Sequence, residues 1–280
     1  MEITFWGVRG SIPSPGPGTV RYGGNTPCVS VTLAGGEPIM FDCGTGARNF
    51  GNALMSTPFG KGQGQMTVVL SHAQWDHIQG FPFFRPFYIP GNRFTVVGAR
   101  SAAELQTVLE GQMAAQYFPV QTYRNMASAI ELVGALDKDR IAIGTATLRA
   151  CPILGGPPGA AGYRLQDGKK AIAYVGHGSP LSGTHAEIQE LCRDVDLLIH
   201  ECSFTPEDSS RYPTRQLSSL DQTLETAIGS GAKKLALVHY DQDYTDGEVD
   251  ALVARARAAV TDRGSKLEVM GAAEGLILKV

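Results

Sequence analysis

Charge is scarce in this 280-residue chain, and no stretch of it concentrates one sign. Charged residues make up 18% and the formal net charge is −3. The only basic doublets are Lys169-Lys170 and Lys233-Lys234, so no broad nucleic-acid surface is expected. No apolar run approaches the roughly 18 residues that cross a bilayer. The opening MEITFWGVRG has no basic stretch ahead of an apolar one, which argues against a secretory signal. No C-x-x-C pair is present: Cys28, Cys43, Cys151, Cys192 and Cys202 are scattered and odd in number. They read as reduced, mostly core thiols, and the expected location is cytoplasmic. No low-complexity linker and no solenoid-period repeat divides the chain, so residues 1–280 read as one domain.

Apolar residues, at 43%, are enough to exclude general disorder. Glycine is in excess, with 34 residues. That fits a fold whose chemistry sits on tight loops between strands. Strands are expected at 3–6, 28–33, 38–42 and 66–71, then near 141–150, 171–175, 196–200, 235–239 and 267–279. Residues 102–115 have helical spacing. Thr184 with Glu187, Ser219 with Gln222 and Thr245 with Glu248 have the spacing of capping boxes. Behind the last, Val249, Leu252, Val253, Ala256 and Val260 form one apolar stripe.

Of six histidines, His72, His177, His200 and His239 each follow an expected strand, and His77 lies five residues past His72. Strand ends in α/β proteins share a rim, so these side chains can converge. Histidine is a common ligand for borderline metals. His185 falls in a helix first turn and reads as a surface residue.

The segment SHAQWDHIQGFPFF resembles the H-x-H-x-D-H loop of the metallo-β-lactamase superfamily. The resemblance extends through GVRGSIPSPGPGTVRYGGNTPCVSV, FDCGTG, FPFFRPFYIPGNRF, GQM with YFPV, and HYDQDYTDGEVD. These motifs resemble the ribonuclease-Z-like and cyclic-nucleotide phosphodiesterase branch. The resemblance implies an α/β fold, a four-layer αβ/βα sandwich, with a pair of metal ions activating water for attack on a phosphodiester.

Against that pattern the ligand set is thinned. His72, Asp76, His77 and His239 stand where the family has ligands, and Asp76 is also the candidate catalytic carboxylate. Gln74 replaces the second histidine of the loop, and Gly156 stands at a further histidine position, in LGGPPGAAGYR. His177, in AYVGHGS, stands where the resemblance implies a bridging aspartate; one imidazole lone pair cannot bridge two ions. Leu217 stands where the family has a histidine thought to protonate the leaving group. Too few donors remain for two ions. Asp76, His77, His177 and His239 suffice for one zinc, iron or manganese ion, with His72 or Gln74 positioning water; a metal-free relative is the alternative.

Supporting positions follow from the same resemblance. Asp42 is expected to brace the metal loop by hydrogen bonds, or else simply to start a turn, and His200 to stand behind the ligands. Arg21 to Thr26, RYGGNT, offers backbone N–H groups, Arg21 and Asn25 to a phosphate. Trp75 is expected to pack, and FPFFRPFYIP to be part core and part cleft wall or homodimer contact. Two functions compete: a single-metal phosphodiesterase-like hydrolase, and a decayed enzyme that binds a nucleotide-like ligand or a protein partner. Iron-based sensing is a minor option. A tRNA nuclease is the weakest, because no basic arm is present.

Overall fold

The computed structural model describes residues 1–120, 122–136, 138–178, 185–211 and 217–280. Its frame is two seven-stranded sheets. The first comprises β1 (Glu2–Gly7), β2 (Cys28–Thr32), β3 (Pro38–Phe41), β4 (Gln65–Leu70), β5 (Arg93–Gly98), β6 (Ala129–Gly134) and, at its far edge, β14 (Ile277–Lys279). Their order is β14-β1-β2-β3-β4-β5-β6. The second comprises β7 (Ile141–Ile143), β8 (Ala146–Pro152), β9 (Ala161–Asp167), β10 (Lys170–Val175), β11 (Leu197–Glu201), β12 (Lys234–Val238) and β13 (Glu268–Gly271). Each sheet is antiparallel on one side and parallel on the other: β3 to β6 run parallel, and so do β10 to β13.

The layers follow from the pleat, which sends alternate side chains to opposite faces. On β3, Ile39 and Phe41 join the core between the sheets, while Met40 joins the outer core. On β4, Val69 faces inward and Met66, Val68 and Leu70 face outward. The outward face is covered by α1 (Gly46–Leu54), α3 (Ala102–Gln112) and the Phe81, Phe84 and Phe87 side chains. The outer face of the second sheet is covered by α4 (His185–Leu191), α6 (Leu220–Gly229) and α7 (Asp246–Asp262). The result is the expected four-layer αβ/βα sandwich. Among the described residues no helix is long and apolar enough to cross a membrane.

Local signals place the helices. The Thr245 amide donates to Glu248 and the Glu248 amide to Thr245, closing the capping box of α7. All five residues of its expected stripe are buried. Gln222 accepts from the Ser219 amide at the start of α6. Thr184 lies outside the described residues, as does the side chain of His185. A fourth box, Ser101 with Glu104, starts α3 and was not expected.

Two expected strands divide. Residues 141–150 form the β7–β8 hairpin, because Gly144 adopts a left-handed φ of 54° and turns the chain back. Residues 267–279 supply β13 to one sheet and β14 to the other, with Gly275 at φ 83° between them. The parallel strands β5 and β6 went unexpected; Glu131 interrupts the short apolar run of β6. The FPFFRPFYIP segment is mostly core: Phe81, Phe84 and Phe87 are fully buried and Phe83 is exposed. Phe87 packs its ring 4.7 Å from Phe81, 4.8 Å from Phe84 and 4.7 Å from Phe94. Phe87→Ala should cost about 3–5 kcal/mol, measured by urea denaturation. A loss below about 1 kcal/mol would mean that the ring cluster collapses to fill the space.

Candidate metal centre

The parallel strands aim their carboxyl ends at one rim, and the chemistry gathers there. Asp42 follows β3; Ser71 and His72 follow β4; His177 follows β10; His200 and Glu201 close β11; His239 follows β12. The short helix α2 (Trp75–Ile78) presents Asp76 and His77 to the same rim. All these side chains but Trp75 and Ile78 are polar, and all of them but Trp75 are buried.

Three donors meet at one point. One ligand atom each from Asp76, His77 and His239 lies within 4.8 Å of the other two. His239 Nε2 is 3.0 Å and His77 Nε2 3.4 Å from Asp76 Oδ2, which also accepts from the Ser11 amide at 2.8 Å. The outer nitrogens of both rings are held from behind. His77 Nδ1 is 2.7 Å from Asp42 Oδ2, and His239 Nδ1 is 2.9 Å from Ser203 Oγ. An imidazole held through one nitrogen directs the other at the metal position. His77 Nε2 is buried without a hydrogen-bond partner, which leaves its lone pair available to an ion. The donor set therefore fits a single borderline ion such as zinc.

Backbone strain marks the same place. Among the described residues four non-glycine residues have positive φ: Ser11, Asp42, Asp194 and His239. Three of these four touch the Asp76–His77 pair. Such conformations persist where the surroundings over-determine them, commonly at functional sites.

The remaining expected residues fall around the triad. The His72 ring lies tilted against the His77 ring, with centroids 3.9 Å apart, but its Nε2 faces Gln74 Oε1 at 2.9 Å. His177 stands 5.3 Å from the His72 ring, outside the group of three, with Nε2 buried and unpartnered. The four-donor cage expected from the sequence is thus three donors with His177 one ring further out. A Cβ at Gly156 would sit 3.1 Å from His177 Cδ2. An imidazole there and one at 177 would compete for the same space. Leu217 offers no proton, as expected. His200 has its Nδ1 2.6 Å from the Glu201 carbonyl oxygen. Asp42 does brace the loop, accepting from the Ser71 amide and hydroxyl as well as facing His77. Arg21 points outward to Asp250 of α7 instead of toward the cluster. Asn25 binds Glu274, its amide nitrogen 2.8 Å from Oε2.

Glu201, which stands with His200 where the resemblance places a His-Asp pair, supports the site from the second sheet. Its buried carboxylate accepts from the Gly178 and Ser218 amides at 2.8 and 2.9 Å, and stands 3.9 Å from His177 Nδ1. Its place at the end of a parallel strand was the available signal. Trp75, expected to pack, is 72% exposed, because the turn of α2 that buries Asp76 and His77 points it the other way.

Burial alone lowers the His77 pKa, but the Asp76 and Asp42 carboxylates outweigh it and raise it to about 9. Burial pushes up on Asp76, yet His77 and His239 hold it well below the usual carboxylate range. Burial lowers His72 and His177, and neighbouring imidazoles lower them further.

This arrangement of two sheets with a polar rim is that of the metallo-β-lactamase fold. The beta-lactamase superfamily domain matches residues 38–240, and the chain belongs to that superfamily. Among curated proteins it is 24% identical to ribonuclease Z of Haloferax volcanii over 96% of this chain and 95% of that one. Its structure is similar to the metallo-beta-lactamase fold protein YhfI from Bacillus subtilis (TM-score 0.71, 18% identity, 99% and 98% of the two chains). It is also similar to human tRNase Z, short form (TM-score 0.66, 18% identity, 100% and 99%).

The raised His77 pKa makes the metal-free chain sensitive to alkali. Its contribution to stability is complete below about pH 6.5 and fades as pH climbs through about 9. His72 and His177 act oppositely, contributing above about pH 6.5 and losing that contribution as pH falls. Urea denaturation of EDTA-treated protein should therefore show stability declining from pH 6.5 to 9.5, with a shallower slope in Asp42→Asn. Equal slopes in the two proteins would show that Asp42 does not govern His77.

Proposed function

We propose that the protein binds one divalent ion through Asp76, His77 and His239 and acts as a single-metal hydrolase of a small phosphodiester. The observation that carries this reading is the convergence of those three donors, each backed by a further hydrogen bond. Three protein ligands is the count used by catalytic zinc sites, which keep a position open. Bound there, the ion supplies Lewis acidity and brings the pKa of a coordinated water to roughly 7.

The chain's own residues do the rest. Asp42 keeps the His77 ring from turning, and Ser203 does the same for His239. Gln74 fixes His72 beside the triad, where His72 is a polar neighbour for substrate or water. Among the described residues one such group of donors is present, and Gln74 and Gly156 stand at two histidine positions of the family. The relatives named ribonuclease Z support a phosphodiester as the bond acted on. The small charge of this chain favours a small substrate over a structured RNA.

A second reading is favoured by Leu217, which removes the family's proton donor: the site then binds its ligand without turnover.

Elemental analysis after zinc supply should find one equivalent per chain. Asp76→Asn should abolish both the metal and any hydrolysis of bis(p-nitrophenyl) phosphate. Asp42→Asn should weaken zinc by about 10–100-fold. Metal-free wild type at saturating zinc would overturn the proposal. One equivalent of zinc without hydrolysis would select the binding reading.

A further inference from the structure

A polar cavity of about 480 Å³ opens at the other end of the sandwich from the metal centre. Gln65, Arg93 and Ala129 line it, and they are the first residues of β4, β5 and β6. The strand β4 thus starts at this cavity and ends beside His72. The facing wall is Ala142 to Gly144, in the β7–β8 hairpin of the second sheet. Met66, Phe94 and Ile130 side with the outer core, so Gln65, Thr67, Arg93, Thr95 and Glu131 face the second sheet. Further along the same strands this face carries Val69, Val97 and Val133, which pack in the core between the sheets. Parallel sheets are ordinarily covered and apolar on both faces. Here the cover stops short, and the residues it leaves open are long and polar.

The charges in the cavity are of both signs and unpaired. Among the described residues that line it, Arg93 is the cation and Glu37 and Glu131 are the anions. Among the described residues none of these three side chains finds a hydrogen bond or an ion pair. The register holds them apart. Glu131 pairs with Thr95, so it lies one strand over and two residues along from Arg93. At ordinary strand spacings that puts their Cα atoms roughly 8 Å apart. Glu37 precedes β3 and lies on the far side of Gln65, since Ile39 pairs with Thr67 and Gln65 with Arg93. Its carboxylate is wedged between two glycines. A Cβ at Gly35 would come within 2.4 Å of Glu37 Oε2, and one at Gly144 within 2.9 Å of Oε1. Oε2 is buried without a hydrogen-bond partner, a costly state for a carboxylate oxygen. The glycines thus make room for a charge that no described residue neutralises.

A ligand that completes this set carries one anionic group and two cationic ones. The planar guanidinium of Arg93 offers paired donors to a carboxylate. A cation on one side of that carboxylate meets Glu131, and a cation on the other side meets Glu37. One guanidinium against two carboxylates leaves the cavity a formal charge of −1, which a ligand of charge +1 balances. The volume lies within the range of small-molecule sites. We infer that this cavity binds a basic α-amino acid of the lysine or arginine kind, with its carboxylate on Arg93, its α-ammonium on one glutamate and its side-chain cation on the other. The site stands at the opposite end of the strands from the metal centre. Its ligand is therefore not the substrate of that centre, and the inference does not rest on how the centre is read.

Isothermal titration of the zinc-supplied, desalted protein with L-lysine, L-arginine, cadaverine, L-norleucine and L-glutamate tests it. Cadaverine keeps both cations of lysine and lacks the carboxylate, norleucine lacks the side-chain cation, and glutamate reverses its sign. Lysine or arginine should bind about tenfold or more tightly than each of these three, the loss expected when one charged hydrogen-bonding group is removed. Arg93→Gln and Glu131→Gln should each weaken that binding about tenfold or more. Both residues are exposed, so the variants should fold. Asp76→Asn should leave the affinity unchanged. The proposal is overturned if neither amino acid outbinds norleucine and cadaverine, or if Arg93→Gln binds lysine and arginine as the wild type does. Loss of the binding in Asp76→Asn would place the ligand at the metal centre and overturn it as well. Concentration-dependent self-association abolished by Arg93→Glu, without amino-acid binding, would make the cavity a protein contact instead.

Discussion

One buried carboxylate ties the molecule together. Asp42 is wholly inaccessible and accepts from the Ser71 amide, the Ser71 hydroxyl and the Tyr174 hydroxyl while facing His77 Nδ1 at 2.7 Å. Asp42 and Ser71 follow strands of the first sheet, and Tyr174 lies on a strand of the second. The same group therefore crosses the interface between the sheets and orients a metal-site ring. A buried carboxylate is tolerable only when its lone pairs are satisfied, and here the partners that satisfy it come from the elements the site must hold in register.

The rest of the centre follows this economy. Glu201 plays the corresponding part in the second sheet, gathering the Gly178 and Ser218 amides and the Ser203 hydroxyl. Ser203 in turn steadies His239. Each of the two rings of the triad is thus braced through a group that closes one sheet's parallel strands. The positive φ angles of Ser11, Asp42 and His239 are the backbone's share of the arrangement, since side chains leaving neighbouring strand ends can reach a common point only through bends that ordinary residues avoid.

The departures from the family's ligand pattern have a spatial logic. Gln74 does not leave His72 idle but accepts its Nε2. The glycine at 156 and the histidine at 177 are in contact, so the room released by one accommodates the other. These exchanges leave a cluster with one shared donor point and a histidine-rich flank.

Much of this was legible in the residues. Strand ends, capping boxes and the α7 stripe are local features, governed by spacing along the chain, and so is the motif that names the fold. The division of 267–279 between two sheets was not legible, because each half is placed by a distant pairing partner, Lys234 for Glu268 in one sheet and Glu2 for Lys279 in the other. The partners of Glu201 were hidden for the same reason: its donors lie 23 and 17 residues away. Trp75 read as packing because an aromatic residue is apolar wherever it stands, and only the turn of α2 shows which way it faces. By itself the sequence determined the fold family and the kinds of donor atom available. The tertiary structure alone decided which three of them meet, because that depends on distances between residues far apart in the chain.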